Sequence, residues 1–343
     1  MIRVAIIGAG VGARHLAGYR ELGDRFRVTV LCDLDVSRAR LATMDAPDVD
    51  VTSSIDSVIA ASDIDLIDVC LPPHLHFRVS IRALEAGKHV VCEKPIVLCP
   101  HEADRLRETA ETYGRKVFPV FQYRYGKGMR QLKALQKAGI AGKAYVASLE
   151  THWSRGADYY AVPWRGTLAG ESGGAVLVHA IHVHDLLCHI LGPVSEVFAM
   201  TDTRVNAIET EDCAALAFRM ASGALATSSI TLGADKDTTR LRFCFEGFTA
   251  ESGSAPYAPA EDNWRFLARA PVAQSRIDRI LSTIQPLRAG YAGYFEAVAD
   301  AIDGNDGSEV TLDEGRRSIA LAAAIYESTR RRAAVNLPQP NVR

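Results

Sequence analysis

Several groups of residues have the types and spacing for chemistry. Lys94 follows the apolar run Val90-Val91-Cys92 and Glu93, and precedes Pro95. Pro95 has no N–H for a ladder, so a strand ends there and leaves a cation at its carboxyl end, where open α/β sheets place their ligands. Glu93 is either a structural acid or the group that positions Lys94. The run Gly8-Ala9-Gly10-Val11-Gly12-Ala13 follows the apolar Val4-Ala5-Ile6-Ile7 and precedes a helical pattern over Arg14 to Leu22. Strand, glycine turn and helix are the context that binding of a dinucleotide pyrophosphate requires. Gly8 permits the tight turn, Gly10 lets a phosphate approach the backbone, and either Ala13 or Gly12 fills the third position. Asp33 closes the strand Val28–Cys32 and lies 25 residues after Gly8, near the roughly 20 expected of an acid that accepts hydrogen bonds from a ribose. A carboxylate there repels a 2′-phosphate, so NAD is favoured over NADP. Arg38 offers a 2′-phosphate a partner and keeps NADP in play. Asp33 is also placed to N-cap a segment starting near Val36.

A second concentration begins at Ser172-Gly173-Gly174-Ala175 and continues as a helical segment, Val176 to Leu191, with His179, His182, His184, Asp185 and His189. At about 100° per residue, His179, His182, Asp185 and His189 share one side and His184 points elsewhere. The residues alone leave two readings open, converging imidazoles around a metal or a polar face satisfied by its neighbours. Trp153, Arg155, Tyr159, Tyr160, Trp164 and Arg165 crowd the preceding segment. Aromatic faces pack against sugar C–H surfaces and Arg reads hydroxyls or carboxylates; the alternative is a hydrophobic anchor under a loop. Arg165 and Arg124 are the favoured substrate contacts. His74 and His76, in the turn Leu71-Pro72-Pro73-His74-Leu75-His76, either touch cofactor or serve as turn and cap residues.

The elements that must position these groups follow from length and pattern. A chain of 343 residues corresponds to about two domains. Hydrophobic content of 48% and charged content of 23% are those of an ordinary globular protein. A net charge of −2 gives no field for nucleic acid or an anionic membrane. Seven cysteines without a C-x-x-C pair argue for a reducing compartment, and the absence of a leader pattern or a long apolar run leads to the expectation of a cytoplasmic protein. From Met1 to about Val120 the pattern alternates βαβαβ. The third strand, Leu66–Leu71, runs into the Pro-Pro turn, and a helix over Phe77–Ala86 ends at Gly87. Beyond it, strands are expected at Tyr145–His152, Val194–Thr201, Asp212–Met220, Gly223–Leu232 and Thr239–Glu246, and helices at Tyr291–Asp303 and Leu312–Arg331. Short turns such as Ala221-Ser222-Gly223 suggest that the second sheet is antiparallel. Residues 251–290 carry no clear pattern.

Gly8-x-Gly10, Leu71-Pro72-Pro73-His74-x-His76 and, most sharply, Ala86-Gly87-Lys88-His89-Val90-x-x-Glu93-Lys94-Pro95 together resemble the Gfo/Idh/MocA family of NAD(P)-dependent oxidoreductases, over nearly the whole chain. The resemblance implies a Rossmann dinucleotide-binding domain over 1–121, with the last helix (about 311–332) returning to it, and an α+β domain over 122–310 with an open-faced sheet. That sheet implies a homodimer or homotetramer. The cofactor residues implied are Gly8, Gly10, Val11, Gly12, Ala13, Asp33, Arg38, Leu71, Pro72, Pro73, His76, Glu93, Lys94 and Gln122, the last where Asn is common. Lys94 and His182 are implied as the polarising and acid–base pair. Lys94, Arg124, Trp153, Trp164, Arg165, His179 and His182 would face substrate, and no metal is assigned. The sequence departs from the family in one place: Val178 stands where many members carry Asp or Asn four residues before the histidine, with His179 beside it as a replacement.

The expected activity is reversible oxidation of a hydroxyl on a sugar, cyclitol or sugar derivative. Two rivals share the fold, an enzyme that keeps NAD bound for transient oxidation during elimination or glycoside cleavage, and a regulator that only binds nucleotide or sugar. Turnover without net NADH identifies the first. A lysine and a histidine suited to acid–base work argue against the second.

Overall fold

Ile2–Ile7 forms β1, its last four residues buried, in a computed structural model that describes residues 1–305 and 307–338. It lies inside a six-stranded sheet with Phe26–Cys32 (β2), Asp50–Thr52 (β3), Leu66–Val69 (β4), His89–Cys92 (β5) and Val117–Pro119 (β6), in the order β3-β2-β1-β4-β5-β6. Every pairing is parallel. Parallel neighbours need crossovers, and helices supply them: α1 (Ala9–Arg20), α2 (Val36–Ala42), α3 (Ile55–Ala60), α4 (Pro73–Glu85) and α5 (Pro100–Tyr113). The strand order reverses between β1 and β4, the switch point at which doubly wound sheets bind ligands.

The second sheet comprises Ala144–Ser154 (β7), Val194–Asp202 (β8), Cys213–Met220 (β9), Leu225–Thr231 (β10), Gly233–Phe245 (β11), Phe248–Glu251 (β12), Arg265–Ala268 (β13) and Val335–Asn336 (β14). Their order is β13-β12-β11-β7-β10-β9-β8-β14, antiparallel throughout except for β7 with β10. Both sheets agree with the expected fold class. One face of the second sheet packs on Lys127–Lys137 (α6) and, after the short α7 (Ala157–Tyr160) and α8 (Leu168–Glu171), on Ile181–Leu191 (α9), around Leu149, Val183, Leu187, Phe218 and Phe243. The other face leaves Phe198 and Met200 exposed. The unreadable stretch 251–290 holds β13 and Gln274–Ser282 (α10).

Among the described residues, 1–122 and 291–319 form one compact unit, and 123–290 with 320–338 form another. This grouping differs from the expected division at two helices. The helix Gly290–Ile302 (α11), expected within the second domain, belongs from Tyr291 on to the first unit. There Phe295 stacks on Tyr19 at 3.7 Å, the Tyr294 hydroxyl donates to the Phe118 carbonyl, and Arg25 pairs with Asp300 and Asp303. The last helix, Leu312–Arg331 (α12), begins in the first unit, where Arg316 pairs with Asp104, and continues in the second, where the Ser328 hydroxyl accepts from the Ala199 N–H.

Candidate active site

In the first unit the chemistry-bearing residues follow the carboxyl ends of the parallel strands. Gly8 leaves β1 with φ +108°, and a Cβ there would meet the Cys70 carbonyl at 2.3 Å, so the turn admits only glycine. A Cβ at Gly10 would meet nothing within 4 Å, which leaves the backbone open to a ligand. A Cβ at Gly12 would lie 2.8 Å from Ile6, so Gly12 is the residue that lets α1 pack closely on β1; Val11 and Ala13 are simply members of that helix. Helix α1 carries no side-chain cap and no acid in its first turn. An uncapped helix start with a bare glycine approach is the cradle a pyrophosphate requires, and the residues fit a dinucleotide.

Asp33 ends β2 with its carboxylate already engaged. Oδ2 accepts from the Ala9 N–H at 2.7 Å, and Oδ1 accepts from the Asp35 N–H at 2.8 Å and from the Arg38 guanidinium at 2.9 Å. Burial pushes this carboxyl upward, but the Ala9 N–H, Arg38 and Asp35 outweigh it and the net shift is downward. The cap of α2 is Asp35, whose side chain accepts from the Arg38 N–H, and not Asp33 as the spacing had suggested. Asp33 is instead tied back to the glycine turn. Arg38, expected as a 2′-phosphate partner, is paired with the acid that would exclude one.

Leu71 and Pro72 form the turn after β4, and Pro73 opens α4. His76 is buried in that helix, with ring nitrogens 2.7 Å from the carbonyls of Pro95 and of Leu71. Burial lowers its pKa, so the neutral ring donates to one of these carbonyls while lying against both loops. Lys94, half-buried, follows β5, and its N–H donates to Glu93 Oε2 at 2.9 Å. Glu93 Oε1 lies 3.2 Å from His15 Nε2 and accepts from the Tyr291 hydroxyl at 3.4 Å. His15 Nδ1 lies 2.8 Å from Asp68 Oδ2. Sequence reading missed His15 and Asp68; the available signal was an acid within the apolar strand Leu66-Ile67-Asp68-Val69. Gln122 opens a 3-10 turn, and its buried Oε1 has no hydrogen-bond partner among the described residues.

In the second unit the expected regular helix from Val176 is broken. Ala175–His179 is a π-helical turn, closed by Ala180 N–H to the Ala175 carbonyl at 2.8 Å, and α9 starts only at Ile181. The cause lies in Glu211, another residue that sequence reading passed over. Its carboxylate accepts from the N–H groups of Gly174 at 2.8 Å and Val176 at 2.9 Å, and Tyr326 donates to it at 3.0 Å. A Cβ at Gly174 would lie 1.9 Å from the Glu211 carbonyl. The wider turn re-aims His179 relative to α9. His179 packs edge-on to Trp153 at 5.4 Å and beside Tyr159 at 5.7 Å.

His182, buried on the first turn of α9, stacks on Tyr123 at 4.3 Å with the rings 20° apart. Asp185 forms a bidentate pair with Arg124, so the guanidinium favoured for substrate is engaged by a protein carboxylate. His184 points elsewhere, to Ser228 Oγ at 3.1 Å, and burial lowers it to about 4. His189 is lowered to about 2, first by burial and then by Arg124 and Lys133. The Trp153 indole donates to Thr239 and belongs to the core. Arg155 is held by Asp237, whereas Arg165 lies 4.0 Å over the Tyr159 ring and 5.3 Å from that of Trp164.

Comparison with known proteins bears on both units. A model described as oxidoreductase family, NAD-binding Rossmann fold, matches residues 2–121, and the GFO/IDH/MocA C-terminal domain model matches 129–251. D-glucoside 3-dehydrogenase of Escherichia coli is 30% identical over 192 residues, 56% of this chain and 54% of that protein, so the match spans only about half of that relative. The NADP(+)-dependent scyllo-inositol 2-dehydrogenase IolW of Bacillus subtilis is 22% identical over 98% of this chain and 96% of its own. The WlbA dehydrogenase of Bordetella pertussis, solved with NADH and UDP-GlcNAcA, superposes with a TM-score of 0.83 at 26% identity over 99% of each chain. Among the described residues, no single helix is long and apolar enough to cross a membrane.

Proposed function

The chain belongs to the GFO/IDH/MocA family of oxidoreductases, and from that premise we propose that it is an NAD-dependent dehydrogenase that oxidises a hydroxyl of a sugar, cyclitol or sugar derivative to a ketone, reversibly. The observation that carries this reading is the placement of Gly8, Asp33 and Lys94 after the carboxyl ends of β1, β2 and β5, around the switch point of one parallel sheet.

In this reading the Gly8–Gly12 turn and the start of α1 hold the pyrophosphate through N–H groups, and Asp33 accepts from the adenosine ribose. Bound there, NAD would supply the hydride acceptor. Lys94 places a cation at the reacting oxygen and stabilises the charge that develops as the proton leaves. His182 takes that proton, an imidazole being the side chain with a pKa nearest neutrality. Lys94 is also the alternative proton carrier. Glu93 holds the Lys94 backbone. Arg165 and Tyr159, with the buried His179 beside Tyr159 and edge-on to the core residue Trp153, form a ring-rich cluster suited to a hydroxylated substrate. Relatives that act on a glucoside and an inositol, and a neighbour solved with a nucleotide sugar acid, support the substrate class.

The Asp33 carboxylate favours NAD, although IolW is named for NADP(+) and Arg38 is at hand. The exposed Phe198 and Met200, with Ala215 and Ala217 facing outward between them, support self-association through the second sheet as a dimer or tetramer. The test is a panel of inositols, glucosides and uronic acid derivatives offered with NAD, followed by NADH absorbance. Net NADH from one class supports the proposal. Substrate consumed without net NADH, in a protein that purifies with nucleotide bound, would replace it with internal redox chemistry.

A further inference from the structure

We propose that His15 is a positioning residue for Lys94: it clamps the Glu93 carboxylate, and Glu93 in turn fixes the Lys94 backbone at the end of β5. The inference rests on the reading of Lys94 as the polarising group, and all its parts lie within the first unit.

The geometry is a chain of four residues joined by three contacts. Asp68 Oδ2 meets His15 Nδ1 at 2.8 Å, and His15 Nε2 meets Glu93 Oε1 at 3.2 Å. Glu93 Oε2 then accepts from the Lys94 N–H at 2.9 Å. His15 and Asp68 are fully buried, and Glu93 is 6% exposed. A carboxylate only accepts hydrogen bonds, so an imidazole between two carboxylates must donate from both nitrogens. The ring is therefore an imidazolium, and one buried positive charge serves two buried negative ones. With Oε1 taken by His15 and Tyr291, only Oε2 is left to turn towards the main chain. The carboxylate cannot rotate away without abandoning a charged donor, and so the point where the chain leaves the sheet is held.

The groups facing His15 come from every packed element. They are Asp68 and Cys70 from β4 and the residue after its end, Glu93 after β5, Tyr19 from α1 through its coupling to Asp68, and Tyr291 from α11. Burial works against the charged ring, but the charge and hydrogen bond of Asp68, aided by Cys70, outweigh it and the net shift is strongly upward. His15, Asp68 and Cys70 also keep one donor atom each within 4.8 Å, which a divalent ion could exploit. The Nδ1–Oδ2 spacing of 2.8 Å is that of an ordinary N–H···O hydrogen bond.

The test combines ring-nitrogen NMR on histidine-labelled protein with amide exchange at Lys94, in wild type, His15→Gln and Glu93→Gln. Wild-type His15 is expected to stay protonated on both nitrogens well above the ordinary imidazole value of ~6.5. Lys94 amide exchange is expected to accelerate about tenfold in His15→Gln, the scale of one hydrogen bond to a charged group. In Glu93→Gln the new amide donates to His15, which should lose one ring proton, while the Lys94 amide stays protected by the remaining carbonyl oxygen. If His15→Gln does not fold, the wild-type spectrum and Glu93→Gln carry the test. A singly protonated wild-type ring, unchanged Lys94 exchange in folded His15→Gln, or a stoichiometric metal that survives EDTA would each overturn the clamp. NADH titration of the same samples separates the two claims: failure of wild type to bind NADH defeats the dehydrogenase reading and not the clamp, whereas normal binding with unmoved exchange defeats only the clamp.

Discussion

Arg124 and Asp185 form a bidentate ion pair, with N–O distances of 2.8 and 2.6 Å and side chains only 6% and 3% exposed. It joins the start of the second unit to the middle of α9, one turn beyond His182. Removing one partner takes away the bidentate counter-ion of a buried charge. Asp185→Asn should therefore cost about 3–5 kcal/mol of unfolding free energy, and Arg124→Gln a similar amount. The double variant should recover part of the loss, a non-additivity that denaturant titrations of all four proteins would reveal. Additive losses would mean that the pair is not coupled.

Lys94→Ala should lower turnover of a substrate found by the hydroxyl panel by roughly 10²–10⁴-fold, the scale of one electrostatic or proton-transfer group. NADH affinity should change by no more than about threefold, since the cradle at Gly8–Gly12 is untouched. Steady-state kinetics paired with binding measures both, and near-wild-type kcat removes Lys94 from the chemistry.

His182→Gln keeps much of the volume that stacks on Tyr123 and loses the titrating ring. Its kcat should fall by about 10²-fold or more, and the limb of the pH–rate profile that belongs to the base should disappear. A retained limb with a modest loss assigns His182 to packing.

Acid stability should track buried histidines. Burial holds His184 at about 4, below the ~6.5 of an unfolded imidazole. The folded state excludes the proton that the unfolded state takes up, so this contribution is complete above about pH 6.5 and is lost as pH falls towards 4. His89, pushed down to about 4 by burial and by Arg115 and Lys116, acts in the same window. His184→Asn, which retains a partner for Ser228, should flatten the acid limb by on the order of 3 kcal/mol between these limits. Denaturant midpoints measured across that range provide the check, and an unchanged slope would contradict the assignment.

The parallel sheet, the glycine turn and the position of Lys94 were legible in the sequence because each is local: an apolar run, a glycine spacing, a proline that ends a strand. The second sheet was equally readable from alternation in strands such as Cys213–Met220. What escaped were relationships between distant positions. His15 is 53 residues from Asp68 and 78 from Glu93, and Glu211 is 35 from Val176. No periodicity reports such pairings. The π-turn at Ala175–His179 escaped because a 100° wheel assumes a regular helix, and Glu211 imposes the irregularity from outside the segment. Arg124 read as a substrate contact because its partner, Asp185, was itself read only as part of a motif. The placement of α11 depended on Tyr19 and Phe118, both in the first unit and far from it in sequence.

Fluorescence titration of the purified protein with NADH and with NADPH, in wild type and Asp33→Ala, tests the central claim most directly. Any co-purified nucleotide should be removed first. Wild type should saturate with NADH and bind NADPH at least tenfold more weakly, because the Asp33 carboxylate repels a 2′-phosphate. Asp33→Ala should narrow or invert that ratio by releasing Arg38. Folded wild-type protein that binds neither nucleotide would contradict the account.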